Sequence, residues 1–282
     1  MVGVWRLDAP SEVVMPTSDV SYSKAGRLGV IRLERPAALN ALTYPMIAEI
    51  QRAALAAERD PLVFAIAITG SGRGFCAGLD MSVLTEHANG AAPHREGPAP
   101  KNPALFSFLL DVSKPVIAAV NGVAAGGGFV LAMMCDLRFM AEDAYLTTVF
   151  ARRGLIAEHG TSWLLPRMIG LSRALDLMWS SRRVDAAEAY RLGLADRMVP
   201  ADRLMAEVDA YVEAMAASVS PRALAVIKGQ AHRHLETSLV DAAWDSDGLM
   251  AEALRRPDAA EGAASFVERR APQFAPWTGE ES

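Results

Sequence analysis

The chain has 282 residues, of which 51% are hydrophobic and 22% charged, a composition typical of folded proteins with a large core. A net charge of −5 without a long basic run argues against nucleic acid as a partner. The two cysteines, Cys76 and Cys135, are too few for a disulfide framework, so we expect a protein of the reducing cytoplasm. Residues 1–20 lack the basic and apolar stretches of a signal peptide, and none is predicted.

The pattern up to about residue 160 predicts an α/β arrangement. Residues 20–22 and 28–33 predict a β-hairpin, and Thr43 is placed to cap a helix over residues 45–59. Short apolar runs predict strands at residues 63–69, 116–120, 137–141 and 144–147. Strands that alternate with helices at this spacing indicate βαβ units in a largely parallel sheet.

The remainder of the chain predicts helices. We expect them at residues 161–168, 172–180, 186–192, 201–218, 221–235, 239–254 and 257–269. Residues 115–135 carry no charge over a length that could cross a bilayer, but the glycines at 122 and 126–128 predict strand, turn and helix instead of a membrane span. Residues 87–103, rich in Pro, Ala and Gly, predict a mobile loop of the kind that forms lids.

Two glycine-rich turns each lie between an apolar run and a candidate helix start. One is in "GSGRGFCAGLD" at residues 70–80, and the other is the triple glycine at 126–128. Glycine allows close approach of a ligand to the backbone, and a helix start presents free N–H groups. Two such turns can supply two convergent donors, as in an oxyanion hole. The alternative is that both are only tight backbone corners.

Four motifs in order along the chain resemble the enoyl-CoA hydratase/isomerase, or crotonase, family. They are "RPAALNAL" at 35–42, "GRGFCAGLD" at 72–80, "NGVAAGGGFVLAMMCDLRF" at 121–139 and "AAEAYRLGLADRMVP" at 186–200. The resemblance implies an α/β, ClpP/crotonase-like spiral of ββα units and acyl-CoA thioester substrates. It also implies a homotrimer or a dimer of trimers.

Three segments are therefore expected along the chain. Residues 1–18 would form an N-terminal extension, residues 19–200 the spiral core, and residues 201–282 a helical oligomerisation region. No metal and no cofactor apart from the coenzyme A of the substrate is predicted, and no membrane partner. His232 and His234 lie two apart on a predicted helix and so diverge, which makes them a poor metal pair.

The resemblance also assigns site residues by position. The backbone amides of Leu79 and Gly127 fall on the oxyanion-hole donors, and Ala38, Leu39 and the backbone near Ala77 fall on coenzyme A contacts. Many relatives carry Lys where this chain has Ala37, so one phosphate contact is expected to be missing. We expect Asp80, which follows Leu79, to cap the next helix. The alternative is that Asp80 makes a polar contact to the substrate.

Two catalytic glutamates of the hydratases are absent. At the two positions where the resemblance places them, this chain has Val130 and Phe150. Addition of water needs one group that accepts a proton and one that donates a proton. An apolar pair cannot hold that water, so we do not expect efficient hydration, and Val130 and Phe150 are expected to contact the substrate instead.

A different acid falls at a catalytic position. In "GLIAEHGTSWLLPRMIG", Glu158 lies where Δ3-Δ2-enoyl-CoA isomerases and the hydrolytic dehalogenase branch place a carboxylate. The resemblance thus implies an isomerase with Glu158 as its base. The alternative for Glu158 is a carboxylate that only stabilises a helix N-terminus. Trp163 and Phe150 are candidates for the acyl pocket or for core packing, and His159 is expected to be structural.

Several functions remain open at this point. The favoured one is an enzyme that moves a double bond of an enoyl-CoA through an enolate. An enoyl-CoA hydratase or an acyl-CoA hydrolase is a variant of the same chemistry. A protein that binds acyl-CoA without catalysis is an alternative of another class, and a carboxylate facing the oxyanion amides would argue against it.

Overall fold

A computed structural model describes residues 19–88 and 104–279. The strands in these ranges are β1 (Val20–Ala25), β2 (Leu28–Leu33), β3 (Ala65–Gly70), β4 (Gly74–Cys76), β5 (Val116–Val120), β6 (Val123–Ala125), β7 (Leu137–Ala141), β8 (Tyr145–Thr147), β9 (Val184–Asp185) and β10 (Arg197–Val199). The helices are α1 (Tyr44–Arg59), α2 (Met81–Ala88), α3 (Phe108–Asp111), α4 (Gly127–Met133), α5 (Thr161–Ile169), α6 (Leu171–Ser180), α7 (Ala186–Leu192), α8 (Leu204–Ala216), α9 (Pro221–His234), α10 (Leu239–Ala253) and α11 (Pro257–Glu268).

The strands form two sheets. The larger has the order β1-β2-β3-β5-β7-β10 and the smaller the order β4-β6-β8-β9. In the pairs β3/β4, β5/β6 and β7/β8, the first strand joins the larger sheet and the second joins the smaller one. Helix α2 follows the first of these pairs and α4 follows the second. This is the predicted spiral of ββα units, and the α/β fold is confirmed.

Sequence pattern explains the larger sheet. The predicted hairpin is present, with Val20 opposite Leu33 in the antiparallel pair β1–β2. From β2 to β10 the neighbouring strands are parallel. Every residue of β3 and β5 is buried, as expected for central parallel strands that are covered on both faces.

The uncharged segment at 115–135 contains two strands and a helix. It forms β5, β6 and α4, and all seven residues of α4 are buried. Strand β6 was not predicted, because a three-residue strand is too short to give a periodic signal. No helix in the described part of the chain has both the length and the apolarity needed to cross a membrane.

The helices of the second half begin close to their predicted positions. Ser220 and Ser238 cap α9 and α10 through their side chains. The predicted helix over 201–218 differs slightly, because a 3-10 turn at Ala201–Arg203 precedes α8. Helix α10 has no buried residue. Of the predicted loop at 87–103, residues 89–103 lie outside the described residues, as does the predicted extension at 1–18.

Candidate active site

The two glycine-rich turns pack directly against each other. A Cβ atom added to Gly128 would lie 2.2 Å from the carbonyl oxygen of Cys76. Gly78 has a φ of +100°, and a Cβ atom there would lie 2.8 Å from the carbonyl oxygen of Ala125. Neither position has room for a side chain. Glycine therefore allows the turn after β4 to contact the start of α4.

This contact makes neighbours of the amides of Leu79 and Gly127. A Cβ atom on Gly127 would lie 3.5 Å from the backbone nitrogen of Leu79. Gly127 is the first residue of α4, where a helix provides no acceptor for its N–H group. On either side of Leu79, Leu42 donates to the Gly78 carbonyl at 2.7 Å and accepts from the Asp80 amide at 2.9 Å. These two hydrogen bonds fix the turn. The Leu79 N–H itself has no acceptor within residues 19–88 and 104–279.

A cavity of about 330 Å³ lies at these two amides, within the size range of small-molecule sites. Seven of the predicted site residues line it: Ala38, Ala77, Leu79, Asp80, Gly127, Phe150 and Glu158. The wall also contains residues that were not predicted: Ala41, Gly78, Met81, Gly126, Val149, Arg153 and Leu155. Backbone donors and a carboxylate therefore share one cavity.

Glu158 lies just ahead of α5. Its backbone carbonyl accepts from the Thr161 amide at 3.0 Å, and its Oε2 lies 3.5 Å from Nε2 of His159. Its side chain is 33% exposed, so the acid is less enclosed than an apolar pocket would make it. Burial raises the pKa of Tyr44, and the charge of Glu158 adds to this effect, which places the phenol within electrostatic reach of the carboxylate.

The alternative role for Glu158, stabilisation of a helix N-terminus, is not supported by a capping bond. Gly160, and not an acid, is the N-cap residue of α5, and no acid occurs in its first turn. Glu158 also stands among the residues that line the cavity. The carboxylate thus lines the cavity and does not cap the helix.

Asp80 combines the two roles weighed for it. Its Oδ1 accepts from the amide of Ser82 at 3.1 Å, which is the N-cap bond expected at the start of α2. Its Oδ2 lies 3.0 Å from the guanidinium of Arg35. The bonds from the backbone and hydroxyl of Ser82, followed by the bond from Arg35, lower the pKa of Asp80. Asp80 is thus an ionised carboxylate in the cavity wall with its acceptors already engaged.

Three predicted contacts do not reach the cavity wall. Val130 is 1% exposed, and its side chain packs between α4 and α5 beside Thr161. Leu39 adopts a left-handed φ of 49°, and its carbonyl accepts from the Ala77 amide. Trp163 lies on the outer side of α5, with the Arg167 guanidinium 4.0 Å from its ring centre. Their positions depend on how the helices pack, which motif spacing does not reveal.

The cavity wall is apolar at residues 149 and 150. Phe150 is 3% exposed and lines the cavity. Val149 beside it has a φ of 51°, which is rare for a β-branched residue and indicates strain at a functional site. No carboxylate stands at 130 or 150, so Glu158 and the engaged Asp80 are the acids that line this cavity within residues 19–88 and 104–279.

Sequence reasoning missed the residues that follow the predicted ones. Met81 comes directly after Asp80, and Arg153 and Leu155 lie between Phe150 and Glu158. An arginine in an exposed, irregular stretch has the pattern of a solvated charge. Its position between two predicted site residues was the one signal that could have identified it.

Comparison with known proteins gives a consistent result. A family model described as enoyl-CoA hydratase/isomerase matches residues 23–276. The chain is 38% identical over 248 residues to a probable enoyl-CoA hydratase of Mycobacterium tuberculosis, covering 88% of this chain and 94% of the relative. It is 34% identical over 247 residues to 1,2-epoxyphenylacetyl-CoA isomerase of Escherichia coli, covering 86% and 93%. An enoyl-CoA hydratase structure from Polaromonas sp. JS666 superposes with a TM-score of 0.84 at 29% identity, covering 90% of this chain and 99% of that one.

Proposed function

Because the chain belongs to the enoyl-CoA hydratase/isomerase family, we propose that it moves a double bond of an enoyl-CoA thioester by proton transfer. One observation carries this proposal: Glu158 lines the same cavity as the neighbouring amides of Leu79 and Gly127. Two donors and one carboxylate are the groups that such a transfer needs.

The amides would bind the thioester carbonyl. When a proton leaves C2 of the substrate, negative charge develops on that oxygen, and two preorganised N–H groups stabilise it. Loss of one such donor typically reduces the rate about 100- to 1,000-fold. Because the two donors are backbone groups fixed by glycine packing, they need no rearrangement when the charge appears.

Glu158 would supply the proton transfer. Its carboxylate removes a proton from C2 of a 3-enoyl-CoA, and the electrons of that C–H bond form a dienolate. The same carboxyl group then returns a proton to C4, which gives the conjugated 2-enoyl-CoA. One proton leaves and one is added, and no water is consumed. A cavity in which, among the residues that the structure describes, only one acid has its carboxylate available fits this chemistry.

Hydration is the second candidate, and the names of the relatives favour it. It would need a second acid to position and activate water. Val130 is buried and does not line the cavity, Phe150 is apolar, and Asp80 is engaged by Arg35 and Ser82. These contacts support isomerisation over hydration. Hydrolysis of an acyl-CoA by Glu158-activated water is a further variant, and a purely binding role is disfavoured by the carboxylate in the cavity.

The exposed helices bear on assembly. Leu239 of α10 is 86% exposed and Phe266 of α11 is 85% exposed, and apolar side chains of this kind mark an interface where they form a contiguous patch. We propose that the chain forms a homotrimer or a dimer of trimers and acts in the cytoplasm. Light scattering that finds a monomer at micromolar concentration would contradict the trimer.

A substrate panel tests the proposed reaction. We expect the purified protein to convert 3-enoyl-CoA to 2-enoyl-CoA at about 10 per second, an ordinary enzymatic rate. Hydration of crotonyl-CoA, followed by loss of the conjugated absorbance, should be at least about 100-fold slower, because the second proton-transfer group is missing. Release of free thiol reports hydrolysis in the same samples. Fast hydration without isomerisation would refute the proposal.

A further inference from the structure

One charged side chain of the cavity wall has no carboxylate partner in the described residues. Arg153 lines the cavity together with Glu158 and the two amides. The contact of its guanidinium is Nη1 to Sδ of Met81 at 3.4 Å, and a thioether is a weak acceptor. Arg35, by contrast, does not line the cavity, and its Nη2 lies 3.0 Å from Oδ2 of Asp80. Arg153 thus presents its guanidinium to the cavity without an ion-pair partner among the described residues, although Glu158 lines the same cavity.

The local backbone fixes the position from which the Arg153 side chain extends. It is the last residue of a 3-10 turn, Ala151–Arg153, which follows Phe150. Its amide donates to the Phe150 carbonyl at 2.9 Å, and the Gly154 amide donates to Ala151 at 3.1 Å. Arg152, its neighbour in this turn, is also exposed but does not line the cavity. Of these two adjacent arginines, Arg153 therefore lines the cavity and Arg152 does not.

The chemistry of a guanidinium selects its ligand. Arginine presents donors in a planar fork that matches the two oxygens of a carboxylate. We propose that Arg153 binds a carboxylate carried by the acyl group, so that the protein prefers thioesters of dicarboxylic acids. The inference rests on the proposed function only for the position of the thioester at Leu79 and Gly127.

Coenzyme A also carries anionic oxygens, but the size of the cavity favours the acyl group as the source. The cavity of about 330 Å³ contains both oxyanion amides and Arg153, which is near the lower limit for small-molecule sites. The whole pantetheine arm separates the thioester from the phosphates. A cavity of this size that holds the thioester has room for a short acyl chain and not for the nucleotide as well.

Binding of unreactive saturated thioesters tests the proposal without relying on catalysis. Isothermal titration calorimetry would compare hexanoyl with adipoyl thioesters, which differ in the terminal carboxylate. Each acyl group is attached to coenzyme A and, separately, to pantetheine, which has no phosphates. The proteins are wild type, Arg153→Met, which keeps an apolar stem and removes the charge, and Arg152→Met as the matched control. Arg153→Lys keeps the charge without the fork.

We expect wild type to bind the adipoyl thioester more tightly than the hexanoyl one on both carriers. Arg153→Met should weaken adipoyl binding about 10-fold, the lower end for a charge-assisted hydrogen bond, because the side chain is exposed before binding. Hexanoyl binding should be unchanged, and Arg152→Met should behave as wild type. Arg153→Lys should fall in between.

Two results would overturn the proposal. One is equal binding of adipoyl and hexanoyl thioesters by wild type. The other is a loss in Arg153→Met that affects both acyl groups on coenzyme A and neither on pantetheine, which would assign Arg153 to a phosphate. Either result leaves the proposed function intact, because isomerisation of a neutral 3-enoyl-CoA is measured separately on the same proteins.

Discussion

The two sides of the cavity are built differently. On the amide side, every residue from 124 to 130 is buried, and the donors belong to the backbone. On the acid side, every residue from 151 to 156 is exposed, and the chemistry depends on side chains such as Glu158 and Arg153. The amide side can serve any reaction that passes through a thioester enolate. The acid side determines which reaction and which acyl group.

The difference also concerns how tightly each side is fixed. The amide side depends on glycines whose Cβ positions are occupied by other backbone atoms. The acid side contains Val149 and His159 with φ values of 51° and 53°, which are uncommon for residues other than glycine. We therefore expect substitutions on the amide side to affect folding and all activity, and substitutions on the acid side to affect activity selectively.

The largest expected effect is that of Gly128→Ala. The new Cβ would lie 2.2 Å from the Cys76 carbonyl oxygen, so backbone must move and the oxyanion amides move with it. We expect the free energy of unfolding to fall by about 3 kcal/mol or more, and isomerisation to be lost. Urea denaturation and the isomerase assay measure both.

Gly154→Ala is the matched control on the acid side. Gly154 has a φ of 68°, but no atom lies within 4 Å of its added Cβ. Only the left-handed backbone opposes the substitution, at about 1 kcal/mol. If the two variants lose the same stability, the proposed contrast in packing between the two sides is wrong.

Asp80→Asn should have the smallest effect. Asparagine retains the oxygen that caps α2, so the loss is the charge pair with Arg35, worth about 0.5–1 kcal/mol at pH 7. The pKa of Asp80 is lowered in the folded protein. Its charge therefore stabilises the fold above the unfolded pKa of about 3.9, and this contribution is lost as the pH falls through the folded pKa.

Urea denaturation from pH 7 down to about pH 3 measures this linkage. The stability difference between wild type and Asp80→Asn should shrink as the medium becomes more acidic. A difference that stays constant over this range would show that the Asp80 charge does not contribute, and that the substitution acts through the cap alone.

The sequence predicted the elements whose signals are local. The hairpin, the buried strands β3 and β5 and the helix cap at Thr43 follow from apolar runs and a cap residue. Strands β4, β6, β9 and β10 were missed, since each has only two or three residues and is defined by its pairing with other strands. Their existence depends on the spiral and not on local pattern.

The site residues that occur in local motifs were also predictable from the sequence, and those placed by the fold were not. Leu79, Gly127 and Glu158 occur in motifs with fixed spacing, and the structure brings all three to one cavity. Val130 was misplaced, because spacing does not show that its side chain packs against α5. Arg153 was missed, because only the fold shows that an exposed turn forms part of the cavity wall.

The rate of Glu158→Gln with 3-enoyl-CoA tests the central claim most directly. Glutamine keeps the shape and removes the basicity, so isomerisation should fall about 100- to 10,000-fold, while thioester binding and thermal stability remain as in wild type. Glu142→Gln, at an exposed position away from the cavity, should have no effect. If Glu158→Gln isomerises 3-enoyl-CoA as fast as wild type, Glu158 is not the base and the proposed mechanism is wrong.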